Sequence, residues 1–299
     1  MATTTTTTAQ VIKEVISPGF IDAVYRNNDL LPIMPPPVPS GGDTTYDWKL
    51  NSAGNSSSQI FTEGQVAPAS GNQSWVSAAV DYTHFRIMVT ITGHARAALR
   101  SNYVDAIREE FVLGQQDLVD LITRTYMSGT NGIETAVDST TAYAGITRGS
   151  ASYFESLETA VSGNLAATDL EDLIEGLADN DRGANTGAMR FMVPWNQATN
   201  IYRLTGVPAT QFISDADKVP NFLSQTFAGM PIARLGDWTD TVIILADMTP
   251  GNWVVVEHEP FMVHDQGRSA DADVFMETFR GGIMCKQPKM QGKLTGITA

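Results

Sequence analysis

The stretch from Ser101 to Met127, SNYVDAIREEFVLGQQDLVDLITRTYM, constrains the fold more than any other part of the chain. Val104, Ile107, Phe111, Gly114, Leu118, Leu121 and Thr125 recur at alternating three- and four-residue steps, which sets one narrow seam along a single helix. Ser101 is placed to be its N-cap, accepting a bond from an exposed amide of the first turn, and Asp105 sits near the positive end of the dipole. Gly129 follows as the stop, because glycine takes the left-handed cap conformation at little cost. About 25 residues at 1.5 Å each give a rod of roughly 37 Å. A coiled-coil seam would need more length, and Gly114 interrupts this one. The better reading is a spine with a sheet laid along it.

Core volume does not limit such a design. A folded chain of 299 residues buries about three quarters of its extended surface, and one or two domains are expected. The single cysteine, Cys285, rules out an internal disulfide and suits a reducing compartment. The opening MATTTTTTAQ has neither the basic nor the apolar region of a signal peptide. No apolar run approaches a membrane span, the strongest being Trp253–Val256. The expectation is a soluble chain made in the cytosol. Acidic residues outnumber basic ones 33 to 19, for a net charge of −14. Such a chain repels nucleic acid and anionic membrane on average, and no Lys/Arg cluster offsets this. Solubility alone would explain the acidity equally well.

Residues 1–45 read as an arm. Its threonine run is of low complexity, and Pro35, Pro36, Pro37 and Pro39 impose extended backbone poor in donors. Val11–Tyr25 and Leu30–Met34 carry apolar side chains with little local partner, so the arm should lie on the body of its own chain or of a neighbour. Residues 44–92 read as a long hairpin: Tyr46, Trp48 and Leu50 alternate with polar residues outward, and Phe85, Ile87, Val89 and Ile91 alternate on the return. The polar, Gly/Ser-rich segment between them is long for a turn, which marks a functional or flexible loop.

Beyond the spine, Phe154, Leu157 and Val161 predict a short helix. Thr168 and Glu171 form a capping box ahead of Leu170, Leu173, Ile174 and Leu177. A strand over Phe191–Val193, closed by Pro194, leads to a helix over 196–204. Strands follow at Met230–Leu235, Thr241–Ala246, Trp253–Glu257, Phe261–His264 and Val274–Cys285, and a Gly/Lys/Pro tail ends the chain. Helices and strands mix without regular βαβ alternation, so the class is α+β.

Chemistry is hard to find. The histidines are His84, His94, His258 and His264, and none has a metal-ligand spacing. His258 and His264 form the nearest candidate metal site, which would require two strand ends to meet. There is no G-x-S-x-G elbow, Walker loop or G-x-G-x-x-G, and Cys285 before Lys286 reads as a passive thiol. Asp271 and Asp273 make half a calcium loop, without its glycine and terminal glutamate. The carboxylates of 170–181 follow helical spacing and read as a solvated face. The reading is therefore no catalytic, cofactor-binding or metal residue, and no cofactor.

The order of these parts resembles the major capsid proteins of tailed bacteriophages, the Hong Kong 97-like fold, from about Tyr46 to Gly296. The segment LEDLIEGLADNDRGANTGAMRFMVPWNQATNIYRL looks like that family's helix, loop and strand ending in an asparagine-containing turn into a helix. FAGMPIARLGD looks like its L-x-G-x-P-V strand, and VFMETFRGGIMCKQP resembles its closing strand with arginine and terminal proline. The resemblance implies an N-terminal arm at 1–45, an extended β-hairpin loop at 46–92 and a peripheral domain at 93–164 with its spine helix at 101–128. An axial domain follows at 165–250, and 251–299 return to the peripheral domain. It implies a non-catalytic shell protein that self-assembles into hexamers and pentamers of an icosahedral head. Such a head encloses double-stranded DNA without binding it specifically, and is made in the bacterial cytoplasm for the virion. Implied partners are a separate scaffolding protein, a portal and a decoration protein, with no membrane. No lysine lies between Asn51 and Thr83, so the covalent cross-link of some members is not expected. Rival readings are an encapsulin-type nanocompartment shell, a metal-dependent enzyme using His258 and His264, and a tail or adhesin protein. The last would be richer in β-repeats.

Overall fold

The computed structural model describes residues 30–40, 42, 44–55, 71–92, 103–149, 153–179, 186–204, 225–236, 238–239 and 241–298, the side chains of 103–109, 202 and 225 excepted. The N-cap assigned to Ser101, the apolar segment Val11–Tyr25 and His94 lie outside the described residues.

The spine, α1 (Tyr103–Ser128), is a continuous helix of 26 residues. Its buried positions from 111 onward are Phe111, Gly114, Gln115, Leu118, Val119, Ile122, Thr123, Tyr126 and Met127. This is a broad stripe of period 3.6, the pattern of a helix lying on a sheet. It corrects the narrow seam read from the sequence: Leu121 faces outward, 47% exposed, because a strict three-four alternation drifts around a straight helix. Gly114 is no interruption. A Cβ there would stand 2.9 Å from Val89 Cγ2, so the glycine lets the helix settle onto the strand beneath. Gly129 does follow the helix and donates to Thr125 O at 2.9 Å. Its role differs from the left-handed cap expected, since Gly129 is not among the positive-φ glycines. A side chain there would collide with Thr125 O, 2.5 Å from the Cβ position.

Beneath the spine lies a four-stranded sheet with the order β1-β10-β11-β4. Here β1 is Val38–Pro39, β4 Thr83–Thr92, β10 Trp253–Ser269 and β11 Ala272–Cys285. Phe111 meets Phe275 edge-on at 5.2 Å, and Tyr126 meets Phe85 at 6.0 Å, so helix and sheet interlock through aromatic rings. The arm's last residues join this body: Leu30, Leu31 and Met34 are buried in the main core, and Val38 and Pro39 pair in parallel with Val256 and Glu257. Proline is tolerated there because β1 is an edge strand.

The hairpin expected over 44–92 divides at Tyr82. β2 (Thr45–Ala53) pairs with β3 (Ser74–Asp81) as a separate two-stranded sheet, whereas β4 leaves it to pair with β11. Phe85, Val89 and Ile91 therefore belong to the spine's sheet. A short helix, α2 (Ile133–Ala136), follows the spine.

A second core, built around Leu170, Leu173, Leu177, Phe191, Val193, Ile243, Leu245 and Leu294, fills a six-stranded sheet of order β5-β12-β9-β6-β8-β7. Its strands are β5 (Leu157–Gly163), β6 (Met189–Pro194), β7 (Gln225–Phe227), β8 (Met230–Leu235), β9 (Ile243–Asp247) and β12 (Gly292–Ile297). Helices α3 (Ala167–Asp179) and α4 (Trp195–Leu204) pack on it. Three expectations are corrected here. Leu157–Gly163 is a strand and not a helix, because residues 292–297 offer it a parallel partner. The terminal tail contains β12, so the chain ends in the six-stranded sheet and does not stay with the spine's sheet from 251 onward. The cap of α3 lies two residues earlier than the proposed box: the Asp169 carboxylate accepts from Ala166 N at 2.8 Å.

Candidate assembly surfaces

The two histidines singled out from the sequence lie on one strand. Residues 253–257 and 261–264, read as separate strands, are parts of the 17-residue β10. Six residues of extended chain hold His258 and His264 about 20 Å apart, far beyond the roughly 2 Å at which imidazoles bind a common zinc. His258 Nδ1 lies 2.6 Å from Ser40 Oγ, and its ring stacks on Tyr82 at 4.9 Å. It thus ties the end of the arm to the sheet. His264 Nε2 lies 3.2 Å from Thr278 Oγ1 on the neighbouring strand. His84 is exposed. Asp271 pairs with Arg268 at 2.7 Å in the tip joining β10 to β11, and Asp273 stands opposite Arg268 in the ladder. Cys285 is fully buried, and burial pushes its thiol well above the ordinary range. Among the described residues no group of three or more His, Cys, Asp or Glu side chains is placed to hold a metal ion. None of their helices is long and apolar enough to cross a membrane.

The surface that stands out is the β2–β3 hairpin. On its inner face Val80 and Ala78 are buried, Val76 is half-buried, and toward the tip Ser74 is exposed. Tyr46, Trp48 and Leu50 on the other strand remain only half-buried. The hairpin is anchored at its base, where Ala79 N donates to Ala144 O at 3.1 Å and the Lys286 ammonium sits 5.0 Å from the Tyr46 ring centroid. Farther out it leaves the body. Its outer face carries Lys49, Ser77 and Trp75, the last 59% exposed. Two strands alone are marginally stable in water, so the outer half of this hairpin would gain stability from any surface laid over it.

The outward side of α1 is a second such surface. Val112, Leu113 and Leu121 are 42%, 50% and 47% exposed, and Glu110, Asp117 and Asp120 are exposed beside them. On the other sheet a hollow of about 610 Å³ is lined by Asn164, Asn196, Thr199, Asn200 and Arg203, an amide-rich wall suited to backbone groups.

Two polar clusters, one buried and one half-buried, tie the body together behind these surfaces. Arg148, 4% exposed, donates to Thr135 O at 3.1 Å and Ala136 O at 2.6 Å, and lies over the rings of Tyr143 and Phe154. Burial lowers its pKa and raises that of Tyr143, whose oxygen accepts from Cys285 N at 2.8 Å. Asp138 accepts from Thr140 N and Thr141 N and faces Lys293 Nζ at 3.4 Å, linking the segment after α2 to β12. Burial would raise its carboxyl, but the two amides, the Thr140 hydroxyl and the lysine together hold it well below the usual range.

No family model matches the sequence, and no curated protein sequence matches it significantly. Solved structures do match. A gene-transfer-agent (GTA) capsid chain aligns at 14% identity over 90% of both chains with a TM-score of 0.64. The capsid chain of cyanophage A-1(L) aligns at 11% identity over 91% of this chain and 93% of that one, TM-score 0.66. The SrpI encapsulin of Synechococcus elongatus PCC 7942 aligns at 13% identity over 88% and 84%, TM-score 0.58. The fold that the sequence resembled, that of tailed-phage major capsid proteins, is the fold of this chain.

Proposed function

We propose that the chain is a shell subunit, the major capsid protein of a tailed bacteriophage, assembling as hexamers and pentamers around double-stranded DNA and catalysing nothing. The observation that carries this reading is the β2–β3 hairpin, whose burial falls off beyond Leu50 and Val76 and which leaves Trp75 exposed. The likeness to capsid chains over nine tenths of the length supports it. In this reading the arm and hairpin clasp adjacent subunits, the six-stranded sheet with α3 and α4 forms the axial domain near capsomer centres, and a scaffolding protein, portal and decoration protein complete the head. The net charge of −14 suits a wall that does not grip the genome. The likeness to an encapsulin favours a second reading, a nanocompartment shell holding a protein cargo.

The test is negative-stain microscopy of the chain alone and with any scaffold encoded beside it. The comparison is a variant lacking residues 1–29, a cut placed before the buried Leu30 so that the core stays intact. Closed shells or capsomers are expected from the full chain, and folded but unassembled protein from the truncated one. A uniform monomer in every case overturns the reading, and a co-purifying cargo enzyme selects the nanocompartment.

A further inference from the structure

Glu277 lies on β11 between Phe275 and Phe279, on the sheet face that the spine covers. It is 0% exposed, and neither carboxyl oxygen has a hydrogen-bond partner. Its register partners are Ile87 on β4 and Val263 on β10. From above, the helix presents Gly114, the only glycine in α1, whose missing Cβ would stand 3.5 Å from Glu277 Oε2. The helix therefore closes on the sheet where it has no side chain, and what it encloses is a carboxyl.

Among the described residues the surroundings supply no counter-charge. Over residues 110–128 of α1, Glu110, Asp117, Asp120 and Arg124 are exposed, and the buried ionisable group is Tyr126, against Phe85. On β4, His84 and Arg86 are exposed on the opposite face. On β10, Asp265 is exposed, Glu259 pairs with Arg280 of β11, and His264 bonds Thr278. On β11, Asp273 lies two pairs beyond Phe275, toward the tip.

We infer that the spine–sheet contact is a pH-sensitive latch, closed while Glu277 is a neutral acid and loosened when Glu277 ionises. An unpartnered carboxylate in an apolar interior is expensive, and the structure relieves it by admitting water or moving a neighbour. β11 is fixed by ladders on both sides, whereas α1 is held from above by side chains alone. The helix is therefore the element that yields. The register shifts in β10 at Glu259/Met262 and Asp265/Gly267 flank Val263, opposite Glu277, and leave that strand free to bend. Burial pushes the Glu277 carboxyl from 4.5 up to about 8. Because the folded value lies above the unfolded one, the group's stability is fully present below about 4.5 and is lost as pH rises toward 8. The latch belongs to the single chain and stands whether or not the capsid reading does.

The experiment is urea unfolding of the full chain and of Glu277→Gln from pH 5 to pH 9, with deuterium exchange of α1 followed under native conditions. The ratio of unfolding constants, wild type over variant, is expected to rise about tenfold per pH unit across the middle of this range and level off above 8. Protection of α1, corrected for intrinsic exchange, falls above that point in the wild type only, while the six-stranded sheet is unchanged. A ratio independent of pH, or equal α1 protection in both proteins at pH 9, overturns the inference. If Glu277→Gln does not fold, the wild type decides alone: α1 protection must fall between pH 7 and 9 ahead of the six-stranded sheet, and a parallel fall in both overturns it.

Discussion

Arg148 offers the sharpest test of how the body is held together. Its guanidinium is buried, forks onto two carbonyls at the end of α2 and covers two rings. Each hydrogen bond from a charged donor contributes about 1.5–3 kcal/mol, and the ring contacts about 1 kcal/mol together. Removing the charge also relieves the desolvation that lowers the pKa of Arg148, which offsets part of that sum. Arg148→Ala should therefore cost about 3–5 kcal/mol. Arg148→Lys should cost about 1–3 kcal/mol, because an ammonium cannot present a planar fork to both carbonyls. The assay is equilibrium urea unfolding, read as the midpoint shift at constant slope. Arg268→Ala is the control: Arg268 pairs with Asp271 in full solvent, 56% and 79% exposed, and its loss should stay within about 0.5 kcal/mol. If Arg148→Ala matches that control, or if lysine restores wild-type stability, the two carbonyl bonds are not what holds this corner.

Two further predictions follow from close contacts. Gly114→Ala gains about 1 kcal/mol of helix propensity but forces Val89 aside, at about 1–3 kcal/mol, for a net loss of about 0–2 kcal/mol. Gly114→Leu should cost several kcal/mol more in thermal unfolding, and a leucine variant as stable as the wild type would contradict the close approach of helix and sheet. Asp138→Asn keeps the turn but loses Lys293, which should cost about 1 kcal/mol at neutral pH. Because the folded carboxyl titrates below its unfolded value of 3.8, the carboxylate's stabilisation is present above that value and is lost as pH falls. The gap between mutant and wild type should close in acid, and a gap that widens there would refute the assignment.

The sequence showed the spine, because 26 residues of helical pattern have no strand alternative. It showed β8 and β11 as well, since their apolar runs sit between clear turn signals. It missed what depends on partners far along the chain. Leu157 and Val161 are four apart and fit a helix as well as a strand, and only residues 292–297 decide between them. Tyr46 and Phe85 share one alternating pattern, yet they enter different sheets because β11 outcompetes β2 for the second run. Trp75 stands directly after the polar segment that follows β2, and a lone tryptophan at that place was the available signal. Glu277 was also visible: a carboxylate stands between Phe275 and Phe279 at period two, and such an inward acid asks for a partner or a function. Arg148 and Asp138 gave no local sign, since their contacts come from backbone turns that no spacing encodes.

The position of β12 governs the order in which the chain can be finished. This strand lies between β5 and β9, and it is parallel to β5. Leu157–Gly163 consequently waits, through more than a hundred residues of synthesis, for the only strand it pairs with among those described. Loop closure over such a distance is slow, and until it happens β5 and β9 each expose an unpaired edge. The six-stranded sheet can present its finished surface only after residues 292–297 have been made. A chain cut short of residue 292 thus lacks the strand that bridges β5 and β9, and its six-stranded sheet stays divided.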